Sequence, residues 1–363
     1  MTVQPPGSID ILHDVQLSPL TTIVLGGIAK YFVACQSVDH VCEALRSAQN
    51  QKLRVHILGG GSNVIFSDEG FNGLVIRIEM KGISYVDRGD SFLVTAAAGE
   101  EWDGFVEHCI ARHLGGIECL SGIPGFVGAT PIQNVGAYGQ EVRETIVSVK
   151  ALDRQTLRSV EFSNSECMFG YRQSRFKSND ADKYVITGVT FRLHKNGRPV
   201  IRYPELQKFI TLTTDLNTIA EGEPALRAVR EAVLTLRRRK SMVINPNDRN
   251  SRSVGSFFMN PILSINQLND VKSRWQRGGG EGEIPTFPAG DKAKIPAAWL
   301  VEHTGFLRGY RSGGVGISEN HSLALVNRSG TTSELLDLAI RIQHAVHERF
   351  GVMLEREPVV VPA

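Results

Sequence analysis

Residues 120–139 constrain the fold most, because this stretch suits neither a helix nor a strand. Its five glycines free the backbone for positive φ angles or close approach to a ligand, and its two prolines fix φ and remove amide donors. Six scattered apolar residues favour burial, which argues against disorder. We therefore predict an ordered loop wrapped around a ligand, with Gln133, Asn134, Tyr138 and free amides as polar contacts. A glycine-rich connection between domains is the alternative.

Composition narrows the class of protein. The 363 residues include 40 basic and 38 acidic ones, so the formal charge of +2 gives no reason to expect a nucleic-acid or membrane partner. The one basic run, residues 237–240, is interpreted as a solvated helix end. The N-terminus lacks the features of a signal peptide, and we expect a cytoplasmic protein. Five cysteines without a Cys-x-x-Cys pair favour core thiols over disulfides, and we expect no metal site.

The first part of the chain predicts a small α/β unit. Strand-like segments at 30–34, 53–58 and 73–79 accompany a helix at 38–48 that Ser37 caps. The sequence Gly-Gly-Gly-Ser-Asn at 59–63 is a second candidate ligand loop, because successive glycine amides can form a nest for phosphate oxygens. It matches neither the dinucleotide fingerprint nor the P-loop, and an ordinary glycine turn is an equally good interpretation.

Later segments show either the two-residue period of a strand or the 3.6-residue period of a helix. Strands are predicted at 91–97, 146–152, 184–193 and 323–326, and a final strand-like segment covers 353–361. Helices are predicted at 101–113, 224–239, 295–303 and 332–350. The last helix has the clearest ends, since Thr331 and Glu334 form a capping-box pair and Gly351 stands at the C′ position.

Taken together, several motifs resemble the flavoenzyme family of UDP-N-acetylenolpyruvoylglucosamine reductases of peptidoglycan synthesis. The resemblance covers nearly the whole chain, from about residue 21 to residue 361. The motifs occur in family order: Leu-Gly-Gly-Gly-Ser-Asn at 58–63, Ser-Gly-Ile-Pro-Gly at 121–125, Pro-Ile-Gln-Asn at 131–134, Gly-Ala-Tyr at 136–138, Phe-Gly-Tyr-Arg at 169–172, Gly-Ser-Phe-Phe at 255–258, Asn-Pro at 260–261, and Leu354 with Glu357. Each motif is weak alone, whereas the ordered set is specific.

The resemblance implies an α+β fold of the vanillyl-alcohol-oxidase (PCMH) FAD-binding type, with a third α/β domain for the substrate. We assign residues 1–85 to the first FAD-binding subdomain, residues 86–239 with 352–363 to the second, and residues 240–351 to the substrate-binding domain. The segment around Tyr203 resembles the tyrosine-bearing loop that one type within the family has. The polar stretch between Lys240 and Gly255 looks longer than is usual in the family.

The resemblance also implies a non-covalently bound FAD, with NADPH as the reductant. No histidine or cysteine in the glycine-rich segments is placed as a flavin attachment point. The residues assigned to the cofactor are Leu58, Gly59, Gly60, Gly61, Ser62, Asn63, Ser121, Gly122, Ile123, Pro124, Gly125, Gly128, Ala129, Gln133, Asn134, Gly136, Ala137 and Tyr138.

The implied reaction reduces the enol-ether double bond of UDP-N-acetylglucosamine enolpyruvate to give UDP-N-acetylmuramate. Hydride passes from NADPH through flavin N5 to C3 of the substrate, and C2 must then be protonated. By resemblance Ser256 is the proton donor, although a hydroxyl can serve only a very basic carbanion held close to it. Arg172 is implied to hold the substrate carboxylate through two hydrogen bonds, and a protonated Glu357 to donate to the developing enolate. Without the resemblance, Ser256 would be a turn serine and Glu357 an exposed carboxylate.

Five further residues are implied to bind the substrate: Tyr171, Tyr203, Lys240, Asn260 and His321. Tyr171 borders the flavin and the diphosphate, Lys240 offers the phosphate a point charge, and Ser318 and Glu319 accompany His321. We expect a monomer whose partners are UDP-N-acetylglucosamine enolpyruvate and NADPH. Two alternatives stay open, namely another enzyme of the same flavin fold, such as a carbohydrate oxidase, and a non-catalytic nucleotide-binding protein.

Overall fold

The computed structural model describes residues 9–213 and 221–363. The domain assignments for residues 1–8 and 214–220 therefore lie outside the described residues. The chain divides into two compact units. The first comprises the described parts of residues 1–15, 29–61 and 72–243, and the second comprises residues 16–28, 62–71 and 244–363.

The described residues form seven α-helices. They are α1 (Val38–Asn50), α2 (Trp102–Ile110), α3 (Pro204–Thr213), α4 (Gly222–Arg239), α5 (Ile265–Arg277), α6 (Ala297–Glu302) and α7 (Thr332–Phe350). The five predicted helices are confirmed, and α3 and α5 were not predicted. Ser37 caps α1 by accepting from the backbone amide of His40, and the capping box of Thr331 and Glu334 opens α7 as the sequence indicated.

The first unit contains two main sheets. One has four strands in the order Leu12–Gln16, Ile28–Cys35, Phe71–Ile78 and Val55–Leu58, the last two running parallel. The other is antiparallel, in the order Ser159–Ser163, Ile146–Asp153, Tyr184–Lys195, Ser91–Ala97 and Ile83–Asp87, and the short strand Leu114–Gly115 also pairs with Tyr184–Lys195. Helix α2 packs on this sheet through a buried aromatic cluster, in which the rings of Trp102 and Phe105 lie 5.8 and 5.2 Å from that of Phe191.

The second unit has three smaller sheets. Two have three strands each, in the orders Ile262–Leu263, Lys292–Lys294, Phe287–Ala289 and Arg311–Ser312, Val315–Ile317, Leu325–Asn327. The third is a parallel pair of Val64–Phe66 with Val359–Val361. Helix α7 contributes six buried apolar residues, among them Leu338, Ile342 and Phe350, to the core of this unit.

The two compact units differ from the predicted division of the chain. Residues 352–363, which we grouped with 86–239, belong to the second unit, because Val359–Val361 pairs with Val64–Phe66 there. For the same reason residues 62–71 leave the first predicted subdomain. The separation of two FAD-binding subdomains within the first unit stays a prediction.

The cysteines confirm the prediction of core thiols, since four of the five are buried. All five cysteines are free thiols, and burial is the main cause that raises the pKa of Cys35 and Cys167 to about 12. Such thiols are unreactive core residues at neutral pH. Within residues 9–213 and 221–363, none of the helices has the length and apolarity needed to cross a bilayer.

Candidate active site

Two glycine-rich loops of the first unit lie against each other. One comprises residues 59–61, directly after the strand Val55–Leu58, and the other is the stretch at 120–139. A Cβ atom on Gly60 would lie only 2.8 Å from Cα of Gly125 and 3.2 Å from Cδ1 of Phe126. A Cβ atom on Gly59 would meet no such crowding, because its nearest neighbour would be Cβ of Ala129 at 3.9 Å. The structure thus joins two candidate ligand loops that lie far apart in the sequence.

The backbone amides of residues 59–61 are open hydrogen-bond donors within the part of the chain that the structure describes. Among residues 9–213 and 221–363, no oxygen accepts a hydrogen bond from the N–H groups of Gly59, Gly60 or Gly61. Gly61 adopts the left-handed conformation with φ of 66°, which turns successive amides toward a common side. This loop therefore offers hydrogen-bond donors to an anionic ligand.

The protein itself fixes the course of residues 120–139. The indole Nε1 of Trp102 donates to the carbonyl of Leu120 at 2.9 Å, and the backbone N of Trp102 donates to the carbonyl of Gly125 at 3.0 Å. Further along, the amide of Gly128 donates to the carbonyl of Ala98 at 2.9 Å, and a Cβ on Gly128 would lie 2.5 Å from the Ala98 Cβ. The stretch is therefore anchored to the start of α2 and to the residues just before it.

Two predicted cofactor residues use their side chains inside the protein. Asn134 is fully buried, and its Nδ2 donates to Oε2 of Glu141 at 2.9 Å and to the carbonyl of Gly170 at 2.8 Å. Its Oδ1 accepts from the backbone of Arg143, so the amide group is satisfied internally. Ser121, also buried, donates its hydroxyl to a backbone carbonyl three residues earlier. Both side chains shape the loop, and any contact to a cofactor would come from their backbone.

Arg172 adjoins the predicted cofactor segment. Its Nη2 donates to the carbonyl of Gly136 at 2.7 Å, and its guanidinium carbon lies 5.8 Å from the ring centroid of Tyr171. The residue has a left-handed backbone with φ of 54°, which is uncommon for a side chain of this size. The motif at 169–172 and the motif at 136–138 therefore form one local arrangement in the first unit.

Two predicted substrate residues, Tyr203 and Lys240, meet around Tyr138. The rings of Tyr138 and Tyr203 contact edge to face with centroids 5.5 Å apart, and Nζ of Lys240 lies 5.8 Å from the Tyr138 centroid. Nζ of Lys240 also pairs with Oε2 of Glu205 at 2.6 Å. Burial raises the pKa of Tyr138 to about 12, so its phenol stays protonated and can donate a hydrogen bond. The cluster combines one cation with two aromatic hydroxyls.

Arg237 lies beside this cluster, and its burial shows that the interpretation of residues 237–240 as a solvated helix end was wrong for this residue. It is 8% exposed, and its Nη2 donates to the carbonyl of Met242 at 2.7 Å. Burial lowers the pKa of Arg237. Its Nε has no hydrogen-bond partner among residues 9–213 and 221–363 and lies 3.3 Å from where a Cβ on Gly122 would be. The run is thus not a wholly solvated helix end, because Arg237 falls on the buried face of α4 with Val229 and Val233.

In the second unit, Ser256 and Glu357 belong to hydrogen-bonded neighbouring segments. The amide of Glu357 donates to the carbonyl of Phe257 at 2.9 Å, and the amide of Met259 donates to the carbonyl of Glu355 at 2.9 Å. Phe257 is fully buried and fixes the segment, while Gly255, with φ of 78°, makes the turn before Ser256. The motif at 255–258 and the terminal glutamate, about a hundred residues apart, are therefore brought together by the backbone.

Asn63 and His321 adjoin the same segments. Nδ2 of Asn63 donates to the carbonyl of Glu357 at 3.4 Å, and the carbonyl of Asn63 accepts from the amide of Val359 at 3.0 Å. On the other side, the amide of Phe257 donates to the carbonyl of Leu323 at 2.7 Å, and the amide of Leu323 donates to Nδ1 of His321 at 3.0 Å. The turn that carries His321 therefore lies directly beside the segment that carries Ser256.

Asn260 has a structural contact that the sequence did not indicate. Its Oδ1 accepts from the backbone amide of Ala297 at 2.8 Å, which is the first residue of α6. Pro296 precedes this helix and offers no side-chain acceptor, so Asn260 supplies the cap from elsewhere in the chain. The side-chain oxygen of this predicted substrate-binding residue is therefore used for helix capping.

Comparisons with known proteins identify the family. The model of the UDP-N-acetylenolpyruvoylglucosamine reductase C-terminal domain matches residues 245–361, and the model of an FAD binding domain matches residues 29–156. The UDP-N-acetylenolpyruvoylglucosamine reductase of Thermobifida fusca is 44% identical over 356 residues, which cover 96% of this chain and 97% of the relative. This chain belongs to the UDP-N-acetylenolpyruvoylglucosamine reductase family. The Mycobacterium tuberculosis reductase is 41% identical over 366 residues, covering 97% of this chain and 95% of the relative.

The fold agrees with that of a reductase of this family. The crystal structure of the Thermus caldophilus UDP-N-acetylenolpyruvylglucosamine reductase matches with a TM-score of 0.63 and 21% identity, covering 98% of this chain and 99% of that one. The predicted flavoprotein fold is confirmed by this likeness together with the FAD-binding-domain match. Membership of the reductase family also confirms the predicted cofactor, FAD, and the predicted reductant, NADPH.

The loops of the first unit fit the diphosphate of FAD. The donor amides at 59–61 suit anionic oxygens, and Gly60 packs directly against Gly125 and the ring of Phe126, so the two loops adjoin. Residues Leu58, Gly59, Gly60 and Gly61 and the backbone of 121–138 are thus the part of the first unit suited to hold the cofactor.

Sequence reasoning missed three charged residues near these loops, namely Asp103, Glu205 and Arg230. Glu205 pairs with Lys240, and Asp103 accepts from the amide of Gly122 while pairing with Arg230. The helical spacing of residues 226, 229, 230 and 233 could have placed Arg230 on a buried face. No comparable signal marks Asp103 or Glu205, because each is an acidic residue in a first helical turn, where acidic residues are common.

Proposed function

We propose that this chain reduces the enolpyruvyl group of UDP-N-acetylglucosamine enolpyruvate to give UDP-N-acetylmuramate, with NADPH as the reductant. Its membership of a family named for this reaction supports the proposal. The observation that carries it is the pairing of the segments of Ser256 and Glu357 through the Phe257 carbonyl and the Glu357 amide. This pairing supports the proposal, because it makes the segment of a hydroxyl-bearing residue and that of a carboxyl-bearing residue backbone neighbours.

The protein residues are proposed to bind, orient and protonate the substrate. FAD, when bound, supplies the hydride chemistry between NADPH and the substrate carbon C3. Ser256 gives its proton to C2, which needs a strongly basic carbon held close to the hydroxyl. Arg172 holds the substrate carboxylate, and Glu357 donates a hydrogen bond to the charge that develops there.

The nucleotide of the substrate is assigned to the cluster around Tyr138. Lys240 offers a positive charge to the diphosphate, and Tyr203 and Tyr171 provide aromatic faces with hydroxyl groups. Because Lys240 is paired with Glu205 at 2.6 Å, a diphosphate would have to compete with that carboxylate. His321 keeps its proposed role on the substrate, and Asn260 acts on the substrate only through its backbone or Nδ2.

An anaerobic experiment tests the proposed reaction. Purified protein is loaded with FAD, its flavin absorbance is bleached with NADPH, and UDP-N-acetylglucosamine enolpyruvate is then added. We expect the absorbance to recover and UDP-N-acetylmuramate to form in an amount equal to the flavin. Bleaching of the oxidised flavin by simple sugars as electron donors, followed by peroxide formation in air, would instead support a carbohydrate oxidase. Protein that takes up no FAD would support the non-catalytic alternative.

We further propose that the FAD is non-covalent and that the protein is a cytoplasmic monomer. Acid precipitation should leave the flavin in the supernatant, and flavin in the pellet would contradict non-covalent binding. Light scattering should give a mass near the 39.9 kDa of one chain, and a multiple of this mass would contradict the monomer.

A further inference from the structure

A bidentate ion pair connects helices α2 and α4 in the first unit. Nη1 of Arg230 donates to Oδ1 of Asp103 at 2.5 Å, and Nη2 donates to Oδ2 at 2.9 Å. The Arg230 side chain is 5% exposed, whereas that of Asp103 is 38% exposed. Nη2 also lies 3.3 Å from Oε2 of Glu107, one turn further along α2. A buried guanidinium with two parallel hydrogen bonds fixes the orientation of its carboxylate partner.

The same carboxylate holds the start of the predicted cofactor loop. The amide of Gly122 donates to Oδ1 of Asp103 at 2.5 Å. Gly122 has φ of 72°, and a Cβ there would lie 2.7 Å from Cδ2 of Leu234 on α4. Gly122 is therefore enclosed between the two helices that the ion pair connects. No other side chain in the described residues accepts from its amide.

The electrostatics of the network favour a charged Asp103. Burial opposes ionisation, but the hydrogen bonds from Arg230 and from the Gly122 amide outweigh it, so the pKa of Asp103 is lowered. Burial also opposes the charge of Arg230, but the hydrogen bonds to Asp103 and the negative charges of Asp103 and Glu107 together outweigh it, so the pKa of Arg230 is raised. Both partners are thus charged at neutral pH, and removal of either one leaves the other without its counter-charge in a partly buried place.

We infer that Asp103 and Arg230 are positioning residues for the cofactor, because they set the place of the Gly122 amide and with it the turn at 121–125. The inference rests on the proposed function only in assigning this turn to FAD. Gly125 at the end of the turn is the residue that contacts Gly60 of the other glycine loop. A shift of the turn therefore displaces both loops, although neither Asp103 nor Arg230 is assigned a contact with the cofactor.

The test measures the affinity for FAD and the local protection from amide hydrogen exchange in four variants. Asp103→Ala and Arg230→Met remove the pair, Asp103→Asn keeps an oxygen for the Gly122 amide without the charge, and Arg227→Met removes an exposed pair with Glu223 on the same helix. Apoprotein of each is titrated with FAD, and amide hydrogen exchange is followed in peptides covering residues 118–126. The exchange measurement needs no cofactor and no turnover.

We expect Asp103→Ala and Arg230→Met to weaken FAD binding by roughly 10- to 150-fold, the range for one hydrogen bond to a charged group. Exchange should rise in residues 118–126 more than elsewhere. Asp103→Asn should recover part of both losses, and Arg227→Met should match the wild type. If Asp103→Ala and Arg230→Met fail to fold, the Asp103→Asn variant provides the test. Unchanged FAD affinity and unchanged amide exchange in Asp103→Asn would then overturn the inference.

The outcomes for the inference and for the proposed function are separable. Wild-type protein that binds FAD but does not reduce the enolpyruvyl substrate contradicts the reaction and leaves the positioning role in place. Wild-type affinity for FAD in both Asp103→Ala and Arg230→Met overturns the positioning role and leaves the reaction in place.

Discussion

The contact between Gly60 and Gly125 predicts that two adjacent glycines respond differently to the same substitution. Neither Gly59 nor Gly60 has a positive φ, so alanine strains the backbone at neither position. In Gly60→Ala the new methyl group would lie 2.8 Å from Cα and 3.1 Å from the carbonyl carbon of Gly125. This is about 0.7 Å inside the ~3.5 Å optimum for two carbon atoms, so the loops must move apart. In Gly59→Ala the nearest atom is 3.9 Å away, an ordinary contact.

The expected magnitudes follow from this geometry. Overpacking of this kind costs about 1–3 kcal/mol, so Gly60→Ala should lower the melting temperature of the apoprotein by about 2–12 °C. Gly59→Ala should leave the apoprotein melting temperature unchanged within about 1 °C, because the methyl group displaces no protein atom. If the open side of Gly59 faces the cofactor, the same variant should still weaken FAD binding.

Two measurements on each variant check the reasoning. Thermal unfolding of the apoprotein reports the packing of the loops, and titration with FAD reports the cofactor surface. Gly59→Ala serves as the matched control for stability, since it differs from Gly60→Ala by one position in the same loop. Equal melting temperatures for the two apoprotein variants would refute the claim that Gly60 is a packing glycine.

Three further predictions concern the chemistry and the pH response. Ser256→Ala should leave bleaching by NADPH nearly intact and slow reoxidation by the enolpyruvyl substrate by roughly 10²–10⁴-fold, and equal slowing of both steps in stopped-flow traces would contradict a proton-donor role. Glu357→Gln should impair the same second step, so near-normal reoxidation would remove Glu357 from the mechanism. Burial lowers the pKa of His56 from 6.5 to about 4, so the unfolded state binds more protons between these values. Stability should therefore fall as pH decreases from 6.5 to 4, and His56→Gln should show a shallower fall in urea unfolding; an unchanged slope would contradict this account.

Much of the fold was predictable because its signals are local. The cap at Ser37, the capping box of Thr331 and Glu334, and the alternation in 184–193 each depend on residues close in sequence. Helix α5 also begins with a capping box, formed by Ser264 and Gln267, but its polar composition hid the helical period. Helix α3 begins at Pro204 inside a segment that the family resemblance marked as a loop.

The candidate site was less predictable, since a motif gives the residue type and not its partner. Asn134 and Asn260 belong to matching motifs, yet the first clamps its loop through Glu141 and the second caps α6. Arg237 looked solvated because three basic residues follow it, and only the packing of α4 buries it. Burial of a charge depends on contacts between elements remote in sequence, which periodicity indicates only indirectly.

Asn63 shows why a motif of glycines should end in an asparagine. The glycines at 59–61 leave their amides open, whereas Asn63 uses both its Nδ2 and its carbonyl on the segment of Glu357 and Val359. The chain then continues as Val64–Phe66, paired in parallel register with Val359–Val361. Side chains alternate along a strand, so a slip of one residue would turn the side chains of Val359–Val361 to the opposite faces. The motif therefore serves two physical purposes, since its glycines leave amides open to a ligand and its asparagine ties the loop to the backbone of Glu357 and Val359.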